Sequence, residues 1–230
     1  TLDAFGTLSV DGAVNAVNSL LLDAEGLIAL NADAVGGTIL VRGADLAIAD
    51  GAALGDGPRT QSIEIVAVEE LLLGGAAGNS GVYEIDNAEF ARIHSAGDVA
   101  IRVVAVSAGG GGDLTVSDLA VLAGDGSTGT AQNIGQVGEL LLQSDASVTF
   151  VGNAEITGAT ADTMLSIDAL ELVRINSASG GAHVLDANGA VTGTIDISTS
   201  DLVAATDAAF ADIQGLDLIK IDARLALNDG

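Results

Sequence analysis

The chain has 230 residues but contains no cysteine, no tryptophan and a single proline, Pro58. The lack of cysteine excludes a disulfide framework and zinc sites built on thiolates. Aromatic residues make up only 2% of the chain, so leucine, isoleucine, valine and alanine must fill its interior. Such a core suits thin, repeated layers of small side chains better than a globule anchored by large rings.

Positive charge and long apolar runs are scarce as well. Lys and Arg number 7 against 32 Asp and Glu, which gives a formal charge of −25. A field of this sign repels phosphate backbones and anionic lipids, so we expect no nucleic-acid partner and no membrane surface. Apolar runs such as IVAV fall far short of the ~18 residues of a membrane-spanning helix, so membrane insertion is not expected either. The chain is nevertheless 49% apolar and can bury a sizeable core.

Short groups of apolar residues at alternate positions, separated by Gly, Asn, Asp or Ser, run along the whole chain. Alternation sends one set of side chains inward and the other outward, which is typical of a half-buried strand. Neighbouring groups often start about seven or eight residues apart, which leaves no room for helices between them. The groups are Leu8/Val10, Leu20/Leu22, Ile39/Val41, Leu46/Ile48, Ile63/Ile65, Leu71/Leu73, Val99/Ile101/Val103, Leu114/Val116, Leu119/Val121, Leu140/Leu142, Val148/Phe150, Leu165/Ile167, Ile195/Ile197, Leu216/Leu218 and Leu225/Leu227.

Longer spacings indicate an internal repeat. VEELLL (68–73) matches VGELLL (137–142), and ALELVRI (169–175) matches GLDLIKI (215–221). Both offsets are multiples of about 23 residues, and a unit of that size with three short strands is one turn of a parallel β-helix. Glycine-rich stretches elsewhere are expected to be insertions on one face.

We therefore predict an all-β fold, a right-handed parallel β-helix (β-solenoid) with about 23 residues per turn. Residues 1–230 are expected to form one domain, either a segment of a longer secreted protein or one filament subunit. Its interior is predicted to hold Leu73, Leu142, Leu172 and Leu218. The alternative is a solenoid of the leucine-rich-repeat kind, because IQGLDLIKI (213–221) imitates its spine and LVAATDAAFADI (202–213) could form a short helix.

One pattern occurs three times: an acid stands three residues before a base, with apolar neighbours around both. A catalytic site is normally built once, so we interpret the pattern as architecture. The acids and bases are predicted to project outward and to form short ladders between neighbouring turns, with a ligand-binding role as the alternative. The pairs are Glu89/Arg92, Glu171/Arg174 and Asp217/Lys220.

The succession of short G-x-L-x-V units resembles a known family. Stretches such as GGGGDLTVSDLAVLAGDG (109–126) and TGTIDISTSDL (192–202) are similar to the β-helical shafts of bacterial filamentous-haemagglutinin-like adhesins and autotransporter passengers. The resemblance implies a large secreted surface protein at the bacterial cell surface. The Asn-Pro-Asn motifs of that family's secretion domain are not present, so the chain would correspond to the shaft.

No constellation of residues indicates catalysis. Polysaccharide lyases and pectinases share the β-helix, which makes a polysaccharide-binding or polysaccharide-degrading enzyme the alternative function. Such enzymes cluster carboxylates with Arg or Lys on one face, often with Ca²⁺, and carry aromatic platforms for sugars. Here the cations are spread along the chain, at Arg42, Arg59, Arg92, Arg102, Arg174, Lys220 and Arg224. We predict no catalytic, cofactor-binding or metal-ligating residues, and only weak surface binding of Ca²⁺.

Individual polar residues also receive structural interpretations. His94 occupies the position that Asn176 and Asp222 fill in the related repeats, which predicts a polar turn residue, and His183 is expected to be exposed or at a corner. Tyr83, the only tyrosine, is expected to pack at a strand edge. AGGGGDLTV (108–116) is similar to a calcium-binding nonapeptide, but it is a single imperfect copy of a motif that works only in stacks.

The function expected from the sequence is therefore noncatalytic: the shaft of a secreted surface adhesin or the subunit of an extracellular filament. The expected partners are copies of the chain, arranged end to end or laterally, or flanking repeats of a parent chain. Host or matrix glycans are a further candidate.

Overall fold

A computed structural model describes residues 1–56, 59–76, 78, 82–95, 100–107, 111–123, 137–175, 181–204, 213–214 and 219–223. Within these ranges, side chains are described for all residues except residue 100 and those from residue 200 onward.

The described residues form 22 strands and one short helix. The first half contains β1 (Leu2–Ala4), β2 (Leu8–Val10), β3 (Val14–Asn15), β4 (Ser19–Ala24), β5 (Leu27–Leu30), β6 (Ala34–Val35), β7 (Thr38–Gly43), β8 (Asp45–Ile48), β9 (Ser62–Ala67), β10 (Leu71–Leu73), β11 (Tyr83–Ile85), α1 (Asn87–Phe90) and β12 (Ala100–Ala105). The second half contains β13 (Leu114–Val116), β14 (Leu119–Leu122), β15 (Glu139–Ser144), β16 (Ser147–Phe150), β17 (Ala154–Thr157), β18 (Met164–Ile175), β19 (Ala182–Leu185), β20 (Thr194–Ala204), β21 (Ile213–Gln214) and β22 (Ile219–Ala223).

Nine strands form a continuous parallel ladder in chain order, which we call the main ladder: β1, β4, β7, β9, β12, β15, β18, β20 and β22. Between one strand of the main ladder and the next, the chain forms further strands, and these join other parallel sets. These sets are β2-β5-β8, β3-β6, β14-β17-β19-β21, and β11-β10-β13-β16. Every strand pairing in the described residues is parallel. Only one isolated bridge there, between Leu185 and Val191, is antiparallel.

The predicted alternation of buried and outward residues is confirmed. In each predicted group with described side chains, the apolar members lie in the core; Leu8, which is half-buried, packs against it. In the parallel pairing, inward residues of one strand lie beside inward residues of the next. For example, Ile63 lies beside Ile39 on one side and Ile101 on the other. Val99, Leu216/Leu218 and Leu225/Leu227 lie outside the described residues or side chains.

Two of the four leucines predicted for the interior are confirmed. Leu73 and Leu142 are fully buried, as expected. Leu172 is only half-buried, because the register of β18 shifts between Ala169 and Leu172 and Val173 takes the inward position instead. Leu218 lies outside the described residues.

The constant repeat predicted from the sequence is not observed. The first intervals between paired strands of the main ladder are short, since Leu2 pairs with Leu22 and Ser19 pairs with Thr38. The two intervals in the middle are about twice as long, since Ile63 pairs with Ile101 and Ala100 pairs with Glu139. The following intervals are shorter again, since Glu139 pairs with Met164 and Ile195 pairs with Ile219. The two middle intervals include both glycine-rich stretches that the sequence identified as insertions, 107–113 and 124–133, together with α1.

The repeated motifs do not occupy equivalent places. LLL at 71–73 forms β10 and pairs with Leu114–Val116, whereas LLL at 140–142 belongs to β15 in the main ladder. Similarly, LVRI at 172–175 pairs with Ser147–Phe150, whereas IKI at 219–221 pairs with Ile195–Ile197 of the main ladder. Sequence similarity here reflects a shared strand pattern, since buried parallel strands draw on the same few aliphatic residues.

Helix is almost absent from the described residues, where α1 covers only four residues. The helix that the leucine-rich-repeat alternative places at 202–213 is not supported, because residues 202–204 belong to β20; most of the remaining stretch lies outside the described residues. In the described part of the chain, no helix has both the length and the apolar character needed to span a lipid bilayer.

Candidate functional site

The first acid and base pair, Glu89 and Arg92, forms hydrogen bonds with the backbone at the open edge of strand β8. Strand β8 pairs with β5 on one side, but β11 on its other side lies next to it without forming a ladder. Glu89 Oε1 accepts a hydrogen bond from Ile48 N at 3.1 Å, and Arg92 Nη1 donates to Ile48 O at 2.7 Å. The two side chains thus satisfy backbone groups that a neighbouring strand would otherwise satisfy.

A capping box holds this arrangement in place. Asp86 Oδ1 accepts from Glu89 N at 2.7 Å, and Glu89 Oε2 accepts from Asp86 N at 3.2 Å, which caps the first turn of α1. Arg92 also pairs with the exposed Asp50. Glu89 and Arg92 thus contact a distant part of the chain, but through the backbone of Ile48 and the carboxylate of Asp50 and not through the predicted ladder of acids and bases.

The other two pairs have a different setting. Glu171 and Arg174 are exposed on β18, in agreement with their predicted outward position. Asp217 and the side chain of Lys220 lie outside the described part.

Three titratable residues, Asp45, Tyr83 and Glu89, lie close together at this open edge of β8. Burial raises the pKa of Glu89 and that of Asp45, although backbone hydrogen bonds to each carboxylate act in the opposite direction. Burial also raises the pKa of Tyr83, and the charges of Asp45 and Glu89 add to the effect. Tyr83 lies on β11 at the end of its sheet, as expected for a strand edge, but its side chain is 2% exposed. Its hydroxyl has no hydrogen-bond partner within the described residues.

An acidic groove of about 640 Å³ runs past the outer side of this region. Asp3, Asp23 and Arg42 lie in register on three successive strands of the main ladder. Glu25, Asp45, Glu69 and Tyr83 also line the groove. Five carboxylates and one guanidinium attract cations at low ionic strength, but within the described ranges no three His, Asp or Glu side chains are placed to hold a metal ion.

The two histidines are half-buried. His94 N donates to Leu54 O at 2.9 Å, and burial lowers the pKa of its imidazole. The residue lines a smaller cavity of about 320 Å³ with Asp33, Asp56 and Arg59. The polar turn residue predicted at this position instead directly follows the bridge at Ile93. His183 lies within β19, in register with Glu155, and not at an exposed corner as predicted.

Carboxylates form hydrogen bonds with the backbone around the glycine-rich segment before β13. Asp145 accepts from Gly112 N at 2.7 Å and from Ser107 N at 3.0 Å, and Asp113 Oδ1 accepts from Ser147 N at 3.1 Å. The aspartate that a calcium nonapeptide would use as a ligand, Asp113, therefore bonds to a neighbouring strand.

The outward face of the main ladder carries a polar chain that the sequence did not reveal. Arg102 Nη1 donates to Glu64 Oε1 at 3.0 Å, and Arg102 Nε donates to Gln143 Oε1 at 2.9 Å. Gln143 Nε2 in turn donates to Asp168 Oδ2 at 3.3 Å. Four strands, β9, β12, β15 and β18, are thereby joined by side chains as well as by their backbones.

Apolar side chains flank this polar chain in two rows. The register aligns Leu21, Leu40, Glu64, Arg102, Leu141 and Ser166 in one row of outward positions. The second row contains Asp23, Arg42, Val66, Val104, Gln143 and Asp168, of which Val104 is buried. In the sequence, Glu64 and Arg102 each stand between two inward residues, but their wide separation along the chain conceals that they are neighbours.

Comparisons with known proteins do not identify the chain: no family model, no curated protein and no solved structure matches it.

Proposed function

We propose that the chain is a noncatalytic structural protein, built as a right-handed parallel β-solenoid and acting outside a bacterial cell. The observation that carries this proposal is the main ladder, in which nine strands pair in parallel and in chain order. A chain that adds a strand to the same ladder at each repeat builds an elongated stack, and the stack becomes longer with each added turn. An extended stack suits the shaft of a surface adhesin or the subunit of an extracellular filament.

The hydrogen bonds that the charged side chains form support the same role. Glu89, Arg92 and Asp145 bond to backbone atoms, and Arg102 bonds to its neighbours on the ladder. These contacts hold strands together.

The outermost strand offers a means of assembly. Strand β1 pairs with β4, and its other edge has no partner among the described strands. An open strand edge is a template for pairing with another chain, so flanking repeats or a further copy would extend the ladder there.

Electron microscopy of the purified chain tests this proposal. At low salt, the charge of −25 should hold copies apart over a Debye length of roughly 30 Å at 0.01 M. Added salt or millimolar Ca²⁺ should shift the population toward ordered end-to-end or lateral assemblies. Elongated particles support the shaft or filament role, whereas compact globules in every condition contradict it.

A polysaccharide-degrading enzyme is the second candidate. The acidic groove favours it, because Arg42 lies there beside Asp23, with Asp3 on the next strand, and a cation among carboxylates is the arrangement that such enzymes use. Incubation with acidic polysaccharides, with and without Ca²⁺, should yield no unsaturated oligosaccharides. Product that disappears in Arg42→Ala but persists in Arg59→Ala would place the enzyme first.

A further inference from the structure

We propose that the outward face of the main ladder is a self-complementary surface on which two copies of the chain pair side by side, with their strand orders antiparallel. The surface, which we call the neutral patch, consists of the half-buried residues Leu40, Glu64, Val66, Arg102 and Leu141. These residues lie on the successive strands β7, β9, β12 and β15. This inference rests on the proposed structural function and names the surface that lateral association would use.

The neutral patch differs in charge from the rest of the molecule. Its two charged residues, Glu64 and Arg102, neutralise each other at 3.0 Å, and the side chain of each is 38% exposed. The chain as a whole carries −25. Two copies therefore meet the least repulsion when they approach through this face, because like charges are sparse there.

The order of residues along the patch is nearly symmetric about the boundary between β9 and β12. A two-fold axis parallel to the strands at this boundary reverses the strand order, so β7 faces β15 and β9 faces β12 of the second copy. Glu64 then faces Arg102 and Leu40 faces Leu141. Val66 faces the position of Val104, which is only 5% exposed, so the first two pairings carry the contact. Each contact occurs twice, as an isologous interface requires. Shifting the axis by one strand toward β7 would instead set Leu40 against Glu64 and Leu21 against Arg102, which buries charge against leucine.

The rim of the interface contains one unfavourable pairing. The same axis places Asp23 opposite Asp168 at both ends of the second row. Like charges at a rim reduce the rate of association and make it sensitive to salt. The arrangement thus predicts that removing one of these charges strengthens the pairing.

The size of the surface sets the expected affinity. Six strands from β4 to β18 at about 4.8 Å each, with rows extending about 20 Å along the strands, cover roughly 600 Å² per copy. This is below the ~800 Å² per partner of a standard stable interface. We expect a dissociation constant of about 10 to 1000 μM for the isolated chain, with much tighter association wherever many turns pair at once.

Sedimentation velocity of the full chain, from about 10 μM to 1 mM protein at ~0.15 M salt, tests the proposal. The wild type should shift from monomer to dimer across this range. Arg102→Glu should abolish the shift, because it sets two acids against each other, and the double variant Glu64→Arg/Arg102→Glu should restore it. Arg59→Glu is the control, because it reverses one charge of an exposed ion pair of 2.6 Å with Asp56 outside the patch. It should dimerise like the wild type.

A mixing experiment covers the case in which Arg102→Glu fails to fold. Leu40→Lys and Leu141→Asp should each weaken self-association at least tenfold, whereas a mixture of the two should form a heterodimer through the facing Lys and Asp. Asp23→Asn should strengthen dimerisation by about threefold to tenfold, the size of a rim charge effect.

Three outcomes overturn the proposal: a wild type that remains monomeric at the highest concentration, dimers indifferent to Arg102→Glu and Leu40→Lys, or a patch that binds a basic polypeptide or a glycan in place of a second copy. Side-by-side pairing that persists in Arg102→Glu would reject the neutral patch and keep the structural function. Polysaccharide cleavage would reject the structural function whatever the state of association.

Discussion

At the residue scale, the backbone at Gly55 has no room for a side chain. Its φ is +82°, and a Cβ added there would lie 2.2 Å from the carbonyl oxygen of His94. Gly51 has a similar φ of +85° but nothing within 4 Å of an added Cβ. Alanine substitutions at the two glycines therefore distinguish the free-energy cost of the left-handed backbone from the cost of a steric clash.

We expect Gly51→Ala to lower the free energy of unfolding by about 1–2 kcal/mol through backbone strain alone. Gly55→Ala should cost a further ~1–3 kcal/mol, because the segment carrying His94 must move away. Denaturant unfolding of both variants measures the difference. Equal losses would contradict the close approach of His94 to Gly55.

The buried carboxylates give folding stability a specific dependence on pH. The pKa values of Glu89 and Asp45 are raised in the folded chain from their ordinary values of 4.5 and 3.8. A raised folded pKa contributes stability that is fully present below the unfolded pKa and is lost as the pH rises through the folded one. Between pH 7 and about pH 4.5, the free energy of unfolding should therefore increase as the pH falls.

Comparison of variants isolates this effect from the general charge of the chain. Glu89→Gln should flatten the pH dependence, since it removes one of the titrating groups, whereas Glu171→Gln at an exposed position should leave it unchanged. The lowered pKa of His94 acts with the opposite sign, because its contribution is lost as the pH falls. Thermal unfolding of the three proteins across this pH range gives the measurement, and parallel curves for all three would refute the assignment to Glu89.

At the element scale, β18 is a single strand of twelve residues that serves two sets of neighbours. Its first half pairs with β15 and its second half with β16. Leu165 is fully buried in the first half, whereas Leu170, near the register shift, is 66% exposed. The same residue type thus occupies a core and a surface position within one strand.

Leu165→Ala should cost about 2–5 kcal/mol of unfolding free energy, because it leaves a cavity in a stacked core. Leu170→Ala should change stability by less than about 0.5 kcal/mol, as is usual for surface positions. Denaturant midpoints of the two variants test the assigned inward and outward faces. A larger loss for Leu170→Ala would mean that the two faces are reversed.

The strand pattern was predictable from the sequence because it is local. Alternation identified Ile63/Ile65 and Leu140/Leu142 as inward residues, and both pairs are buried, since parity along a strand needs no knowledge of the partner strand. Pairing between strands was not predictable from the repeat in the sequence. Insertions roughly double the chain length between paired strands as the ladder proceeds from β4 and β7 to β12 and β15.

The open edge of β8 could not be predicted for a related reason. The motif around Glu89 resembles two strand motifs, yet a capping box at Asp86 turns it into a helix. The acid at Asp86 followed by Glu89 three residues later is a helix-start signal, and it was present in the sequence beside the stronger strand pattern. The Glu89 carboxylate also bonds to the backbone of Ile48, which lies far from it along the chain, and a local sequence pattern cannot reveal such a contact.

At the scale of the whole molecule, the charge of −25 opposes the compact state. Self-repulsion of like charges destabilises a folded chain and is screened by salt. We expect the melting temperature to rise between about 0.01 M and 0.5 M NaCl, with the larger part of the rise below about 0.1 M. Differential scanning calorimetry at low protein concentration measures it without the influence of association. A melting temperature that falls with salt would instead make ion pairs such as Glu64 with Arg102 the dominant electrostatic contribution.

The unequal spacing of the main ladder has a mechanical consequence. A force that pulls the two ends of the chain apart peels strands from the ladder one after another, and each detached strand releases the chain up to its next partner. The short interval between Ser19 and Thr38 and the long one between Ala100 and Glu139, at up to about 3.6 Å per extended residue, correspond to length increments of roughly 70 and roughly 140 Å. Under an optical trap, the extension trace of this chain would therefore show steps of unequal height, and their sequence would identify which strand had come loose.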